Sequence, residues 1–126
     1  MNNNVLTHKS IDENISGNLV ELGQGFSQVN LKTTEIMLAE KTGLIHGGFI
    51  FSAADYAAML TVNHENVVLG KAEITFIKPV ILGDIVSFFG SLVSHISDIK
   101  KEVSVIGQVN NTIVFKGNFL CYIKNS

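Results

Sequence analysis

The chain has 126 residues, 46% of them apolar and 16% charged, with a formal net charge of −2. That length builds a single core, and the apolar share is large enough to fill one. Scattered basic residues, with Lys100–Lys101 as the one adjacent pair, argue against a nucleic-acid partner. The lone cysteine, Cys121, excludes an internal disulfide and suits a reducing compartment. His8, His46, His64 and His95 show no ligand spacing, so no metal is expected.

Residues 1–16 read as a polar leader, from Met1, Asn2, Asn3 and Asn4 to a short helical turn near Ile11–Ile15. The leader lacks the apolar core of a signal peptide. No stretch of the chain approaches the ~18 apolar residues of a membrane span. A cytoplasmic protein with no membrane partner is therefore expected. Leu19–Leu22 and Phe26–Leu31 are short β-prone runs around Gly23 and Gly25, as a hairpin requires. The segment 33–41 fits no period.

From His46 to Leu60 the chain predicts one helix, because Ala recurs and no breaker follows Gly48. It is apolar nearly all round, so it is buried. Asn63–Asn66 end it. The runs 67–77, 86–95, 102–109 and 112–123 are rich in β-branched residues. Pro79 with Gly83–Asp84, Ser97–Asp98 and Asn110–Asn111 separate them. These connections are too short for crossover helices, so the strands pair antiparallel. The strands of 67–77 and 112–123 would reach about 35 Å at 3.3 Å per residue. With no repeat or linker, residues 1–126 form one α+β domain, a sheet wrapped around a buried helix.

Asp55 is the one carboxylate between His46 and Leu60. A buried carboxylate without a partner is strongly disfavoured. Either a neighbouring hydroxyl or amide satisfies it, or it emerges on a small solvated face, or it is kept for chemistry. Gly47 and Gly48 open the helix, where free N–H groups and the positive end of the dipole suit a developing oxyanion. A Gly–Gly pair there is also an ordinary turn. Gly47 and Asp55 stand eight residues apart, about 12 Å along the axis. Both would have to lie within about 3–4 Å of one carbonyl to act on it. One helix cannot do this; two antiparallel copies can. A catalytic pair here requires at least a dimer.

The run His46-Gly47-Gly48-Phe49-Ile50-Phe51-Ser52-Ala53-Ala54-Asp55 resembles the central-helix motif of hotdog-fold acyl-CoA thioesterases, in particular the phenylacetyl-CoA thioesterase-like branch. Ile74–Val80 followed by Gly83–Asp84 is similar to the strand–Pro–turn–strand signature of that family. The likeness covers roughly residues 18–123. It implies a curved antiparallel sheet around the central helix, and a homodimer, or a pair of dimers, with acyl-CoA bound at the interface. Coenzyme A would be part of the substrate, with no separate cofactor. By the same resemblance the Gly47 N–H polarises the thioester carbonyl with His46 beside it. Asp55 of the partner attacks or activates water, and Gly48 shapes the first turn.

Two positions depart from the pattern. Where the family often has Asn or Gln, six residues before His46, this chain has Glu40. An ionised Glu accepts hydrogen bonds only; it would repel the carbonyl oxygen and raise the pKa of a nearby Asp55, or else point to solvent. On the following strand, Leu69 stands where some members carry Ser or Thr. These departures keep a second reading open, a non-catalytic acyl-CoA-binding or sensor protein. A transcription factor would need an attached DNA-binding helix pair, for which 16 leading residues are too few. A hydratase would need an Asp/His pair in another arrangement. Phe49, Phe51, Tyr56 and Met59 would line an acyl tunnel or form plain core. Lys71, Lys78 and Lys116 are candidates for the CoA phosphates.

Overall fold

The computed structural model describes residues 4–125, so Met1–Asn3, the start of the expected leader, lie outside the described residues. The segment from Asn4 is tied to the body of the protein. Val5 and Ile11 pack against the core, and the Asp12 side chain accepts a hydrogen bond from Asn14 N–H to open α1 (Glu13–Ser16). This short helix replaces the turn expected at Ile11–Ile15. β1 (Asn18–Gly23) and β2 (Phe26–Lys32) form the expected hairpin, each a residue or so longer than the apolar runs suggest. A 3-10 turn at Glu35–Met37 and a bridge between Leu38 and Ile45 then shape the stretch that fits no period.

α2 (Gly47–Val62) begins after His46 and ends at Asn63, whose left-handed backbone (φ 50°) lets its N–H reach Met59 O. Its Ala53, Ala54, Ala57 and Ala58 are fully buried. Small side chains let the helix sit close to the sheet. On β4 (Ile85–Ser97) the facing residue is Gly90, where a Cβ would meet Thr61 Oγ1 at 2.3 Å and Ala57 O at 3.1 Å. Two hydroxyls fill the remaining polar space: Ser27 Oγ donates to Ala57 O at 2.7 Å and Thr61 Oγ1 at 2.8 Å.

β3 (Val67–Phe76), β5 (Lys100–Val109) and β6 (Thr112–Ile123) complete a six-stranded antiparallel sheet in the order β1-β2-β4-β5-β6-β3. This is the α+β architecture expected, a curved sheet around one long helix. Phe88, Phe115 and Phe119 are fully buried between sheet and helix, each contributing roughly 1.5–3 kcal/mol. β5 and β6 are joined through Asn110 and Asn111, both left-handed at φ 48° and 68°. That conformation matches the strand twist, and Asn tolerates it.

β3 and β4 are consecutive in sequence yet not neighbours. The connection Ile77–Asp84 carries the chain from the sheet edge to its centre. It is pinned along its course: Ile77 N–H donates to Val114 O at 2.7 Å, Ile45 N–H to Val80 O at 2.9 Å and Leu82 N–H to Gly43 O at 2.8 Å. β3 is therefore left as a free edge. A bulge between Leu69 and Lys71 shifts its alternation, so that Val67 and Leu69, then Ala72 and Ile74, face the core. Among the described residues no helix is long and apolar enough to cross a membrane.

Candidate functional site

The structure places Asp55 where few partners exist. Phe51, one turn earlier, stacks on Phe119 of β6 with ring centroids 5.8 Å apart. Four residues along a helix and two along a strand both advance about 6 Å. Asp55 therefore lies at the level of Cys121, and the two interact. Burial pushes the Cys121 thiol up to about 12, with the charge of Asp55 adding to the effect. Asp55 Oδ1 is buried and has no hydrogen-bond partner among the described residues. Burial alone pushes its carboxyl from 3.8 up to about 6. No hydroxyl or amide of the protomer meets this oxygen, although Asp55 as a whole is only half-buried.

Cys121 pairs across the sheet with Leu69. An apolar side chain, Leu69, therefore stands at the level of Asp55. Glu40 sits on an exposed turn closed by Gly43 N–H donating to Glu40 O at 3.1 Å. Its side chain is exposed in the protomer and does not reach the Asp55 of its own chain.

At the other end of α2, His46 is the N-cap and makes no side-chain capping bond, leaving the first-turn N–H groups without that partner. Its exposed ring lies over the turn. A Cβ on Gly48 would meet His46 Nε2 at 2.9 Å, and the ring meets Phe49 edge-on at 6.1 Å. Gly47 faces Phe76, whose ring atoms would be 3.3 Å from an added Cβ. Between them opens a cavity of about 310 Å³ lined by Gly47, Ile50, Phe76, Lys78, Val80 and Val114. Phe76 and this cavity are invisible in sequence, because strand alternation gives no sign that its last residue reaches a helix terminus.

The candidate residues thus fall into separate groups. Gly47, Gly48 and His46 share one helix end with Lys78 nearby, and Asp55 lies two turns away. Phe51 is core packing. Tyr56 is 4% exposed and faces the N-terminal segment, away from both groups. Lys71 is held by Glu73 at 3.6 Å on the outer face of β3, and Lys116 pairs with Thr75 in the neighbouring register of that sheet. Among the described residues no set of His, Cys, Asp and Glu converges to hold a metal.

Residues 42–95 match the sequence profile of the Thioesterase superfamily. The fold superposes on the crystal structure of an uncharacterized protein from Pyrococcus horikoshii with a TM-score of 0.97. Identity is 37% over 100% of this chain and 96% of that one. The fold is the hotdog fold, and the chain is similar to the thioesterase superfamily over the matched residues. The chain spans less than half the length of the curated relatives it matches. Methylthioribose-1-phosphate isomerase of Aquifex aeolicus is 47% identical over 115 residues, which are 91% of this chain and 25% of that protein. Transcription factor FapR of Shouchella clausii is 33% identical over 86 residues, 68% of this chain and 44% of that protein. A hypothetical thioesterase of Streptococcus pneumoniae, solved with coenzyme A, shares the fold at a TM-score of 0.77. Its identity is 21%, over 86% of each chain.

Proposed function

We propose that this protein is an acyl-CoA thioesterase whose site is assembled from two copies of the chain. The observation that carries the reading is the unpartnered, buried Oδ1 of Asp55. A carboxylate kept there at a cost, with its pKa lifted to about 6, is still ionised at neutral pH and is a stronger base than an ordinary Asp.

The free edge of β3 supplies the geometry. Leu69 marks the level of Asp55 through Cys121, and Phe76 marks the level of Gly47. Two β3 edges paired antiparallel about a two-fold axis near Ala72–Glu73 bring the Leu69 end of one copy against the Phe76 end of the other. Gly47 then faces the partner subunit's Asp55. Such pairing also covers a long unprotected edge, which native sheets rarely leave open.

In the reaction, the Gly47 N–H donates a hydrogen bond to the thioester oxygen as negative charge develops there, while Asp55 takes a proton from the attacking water, or attacks the carbonyl itself. The C–S bond breaks and the thiolate is protonated to free CoA; the acyl group leaves as a carboxylate directly when water attacks, or after a water hydrolyses the acyl–Asp55 anhydride when Asp55 attacks. The match of residues 42–95 to the superfamily supports hydrolysis of a thioester, and the coenzyme A in the pneumococcal neighbour supports CoA as the carrier. A homodimer is the smallest assembly the reading allows; a tetramer is two such dimers.

Leu69 and the likeness to a transcription factor favour one other reading, an acyl-CoA-binding sensor with the same pocket. Release of CoA thiol from a panel of short, long and aromatic acyl-CoAs separates the two, with native protein beside Asp55→Asn. Turnover lost in a variant that remains dimeric by light scattering supports the thioesterase. Undiminished turnover overturns the role of Asp55. Tight retention of intact acyl-CoA with no thiol release establishes the sensor instead.

A further inference from the structure

A second cleft lies behind the central helix, on the face opposite to the sheet. The N-terminal segment spans it like a strap tied at both ends. Asn63, at the C-terminus of α2, brackets one end: its Oδ1 accepts from Leu6 N–H at 2.8 Å and its Nδ2 donates to Asn4 O at 2.9 Å. Ser16 and Ser52 hydroxyls join at 2.8 Å at the other end. Ser52 and Asn63 are about 16 Å apart along the helix, whereas the ten residues from Leu6 to Ser16 could extend to about 33 Å. The excess length bows outward and leaves a cleft of about 610 Å³ lined by His8, Lys9, Asp12, Glu13 and Tyr56 among others.

Tyr56 is 4% exposed; its hydroxyl makes no hydrogen bond among the described residues and is not one of the fully buried polar atoms, so it opens to the cleft. The side chain lines the cleft, and the charge of Glu13 reaches its hydroxyl. His8 is held in the left-handed region at φ 53°, with its Nδ1 taken by Thr7 Oγ1 at 2.7 Å. A non-glycine residue kept in that region signals a constraint imposed by its surroundings.

The charges in the cleft decide what fits. Lys9 is opposed by two carboxylates, Asp12 and Glu13, and burial favours the neutral form of His8. Asp12 Oδ1 is already used in capping Asn14 N–H. Glu13 and the Tyr56 hydroxyl, which line the same cleft, are left as acceptors. They do not form a metal set with His8, and an anion would meet an excess of negative charge. We propose that this cleft binds a small organic ammonium ion, its N–H groups shared between the Glu13 carboxylate and the Tyr56 hydroxyl. Its carbon chain lies against Val5 and Ile11. The site is independent of thioester chemistry and stands whether or not the proposed hydrolysis does.

Isothermal titration and ¹⁵N-resolved NMR of the full chain test it, with propylamine and putrescine as probes, acetate and propionate as anionic counterparts, and NaCl at matched ionic strength. Saturable binding of an amine is expected, with shifts at His8, Glu13 and Tyr56. Tyr56→Phe, which removes the hydroxyl alone, should weaken it roughly 2- to 10-fold, and Glu13→Gln more than about tenfold. Glu13 is exposed, so its variant folds. Three results overturn the proposal: no saturable binding of either amine, equal binding in Glu13→Gln, or preference for the carboxylates.

Discussion

Replacing Asp55 by Asn should stabilise the protein, and the gain should vanish in acid. The carboxyl is lifted from 3.8 to about 6 by burial alone. At 1.36 kcal/mol per unit, holding it ionised inside the fold costs about 3 kcal/mol. Because the folded state holds the proton more tightly than the unfolded chain, stability falls as pH rises between those two values. Below about pH 3.8 both states are protonated and there is no penalty; above about pH 6 both are ionised and the whole penalty stands. Asn has nearly the shape of the protonated acid and no charge. Its advantage should therefore be close to zero near pH 3.8 and approach about 3 kcal/mol at pH 7.5.

For a chain of this size that gain is on the order of 10 °C in Tm. Calorimetry of both proteins at fixed protomer concentration, near pH 4 and near pH 7.5, measures it as a difference of differences, so other titrating groups cancel. A first-turn N–H of the partner close to the carboxylate would return part of the cost, which makes about 3 kcal/mol a ceiling. Two results refute the reasoning: a gain equal at both pH values, or a variant less stable than the native protein at pH 7.5. The first means that the gain does not come from removing the charge; the second means that Asp55 has a favourable partner in solution that compensates its burial.

The same group should give a thioesterase whose kcat/KM rises with pH through an apparent pKa near 6 and is flat above it, read in a thiol-release assay. Gly90→Ala should cost roughly 1–3 kcal/mol in urea unfolding, because the new methyl meets Thr61 Oγ1 at 2.3 Å and the Ala57 carbonyl at 3.1 Å. Adding Thr61→Ala should recover part of that loss. Glu73→Cys should form a disulfide to its own copy under mild oxidation, visible as a doubled mass on non-reducing gels, if the β3 edges pair as proposed. Cys121 should not interfere, since it is buried with its thiol pushed up to about 12. Asn111→Val should cost roughly 1–2 kcal/mol at a left-handed position, while Asn111→Gly should be near neutral.

Most of the fold was legible because its signals are local. The alanines of α2 and the Asn110–Asn111 turn each act through their own backbone. The order of strands is another matter. Nothing in Ile77–Asp84 says that β3 must leave β4 and close against β6; that follows from hydrogen bonds to Ile45, Gly43 and Val114, all distant in sequence. The site divides along the same line. Asp55 announced itself as a charge on an apolar helix and Gly47 as a bare first turn. Cys121 suggested only a redox compartment, though it lies beneath Asp55, and Tyr56 looked like a pocket residue although it faces another cleft. A helical residue one position along turns about 100° away, so neighbours in sequence serve different surfaces.

The crossover connection and the divided site have a common consequence. Had β3 paired with β4 in sequence order, its present outer edge would lie within the sheet, and no second copy could reach the level of Asp55 from that side. By placing β3 outermost, the Ile77–Asp84 connection leaves one edge free. The Gly70 bulge keeps Ala72, Ile74 and Phe76 turned towards the helix side along that edge, so that Phe76 meets Gly47. Removing Gly70 takes out the one unpaired residue, so Lys71 stays outward and Ala72, Ile74 and Phe76 stay turned towards the helix. The edge would remain, and with it the dimer. Such a deletion should therefore keep both the dimeric mass in light scattering and thiol release, and loss of thiol release from an intact dimer would show that the bulge itself, and not the alternation it preserves, shapes the site.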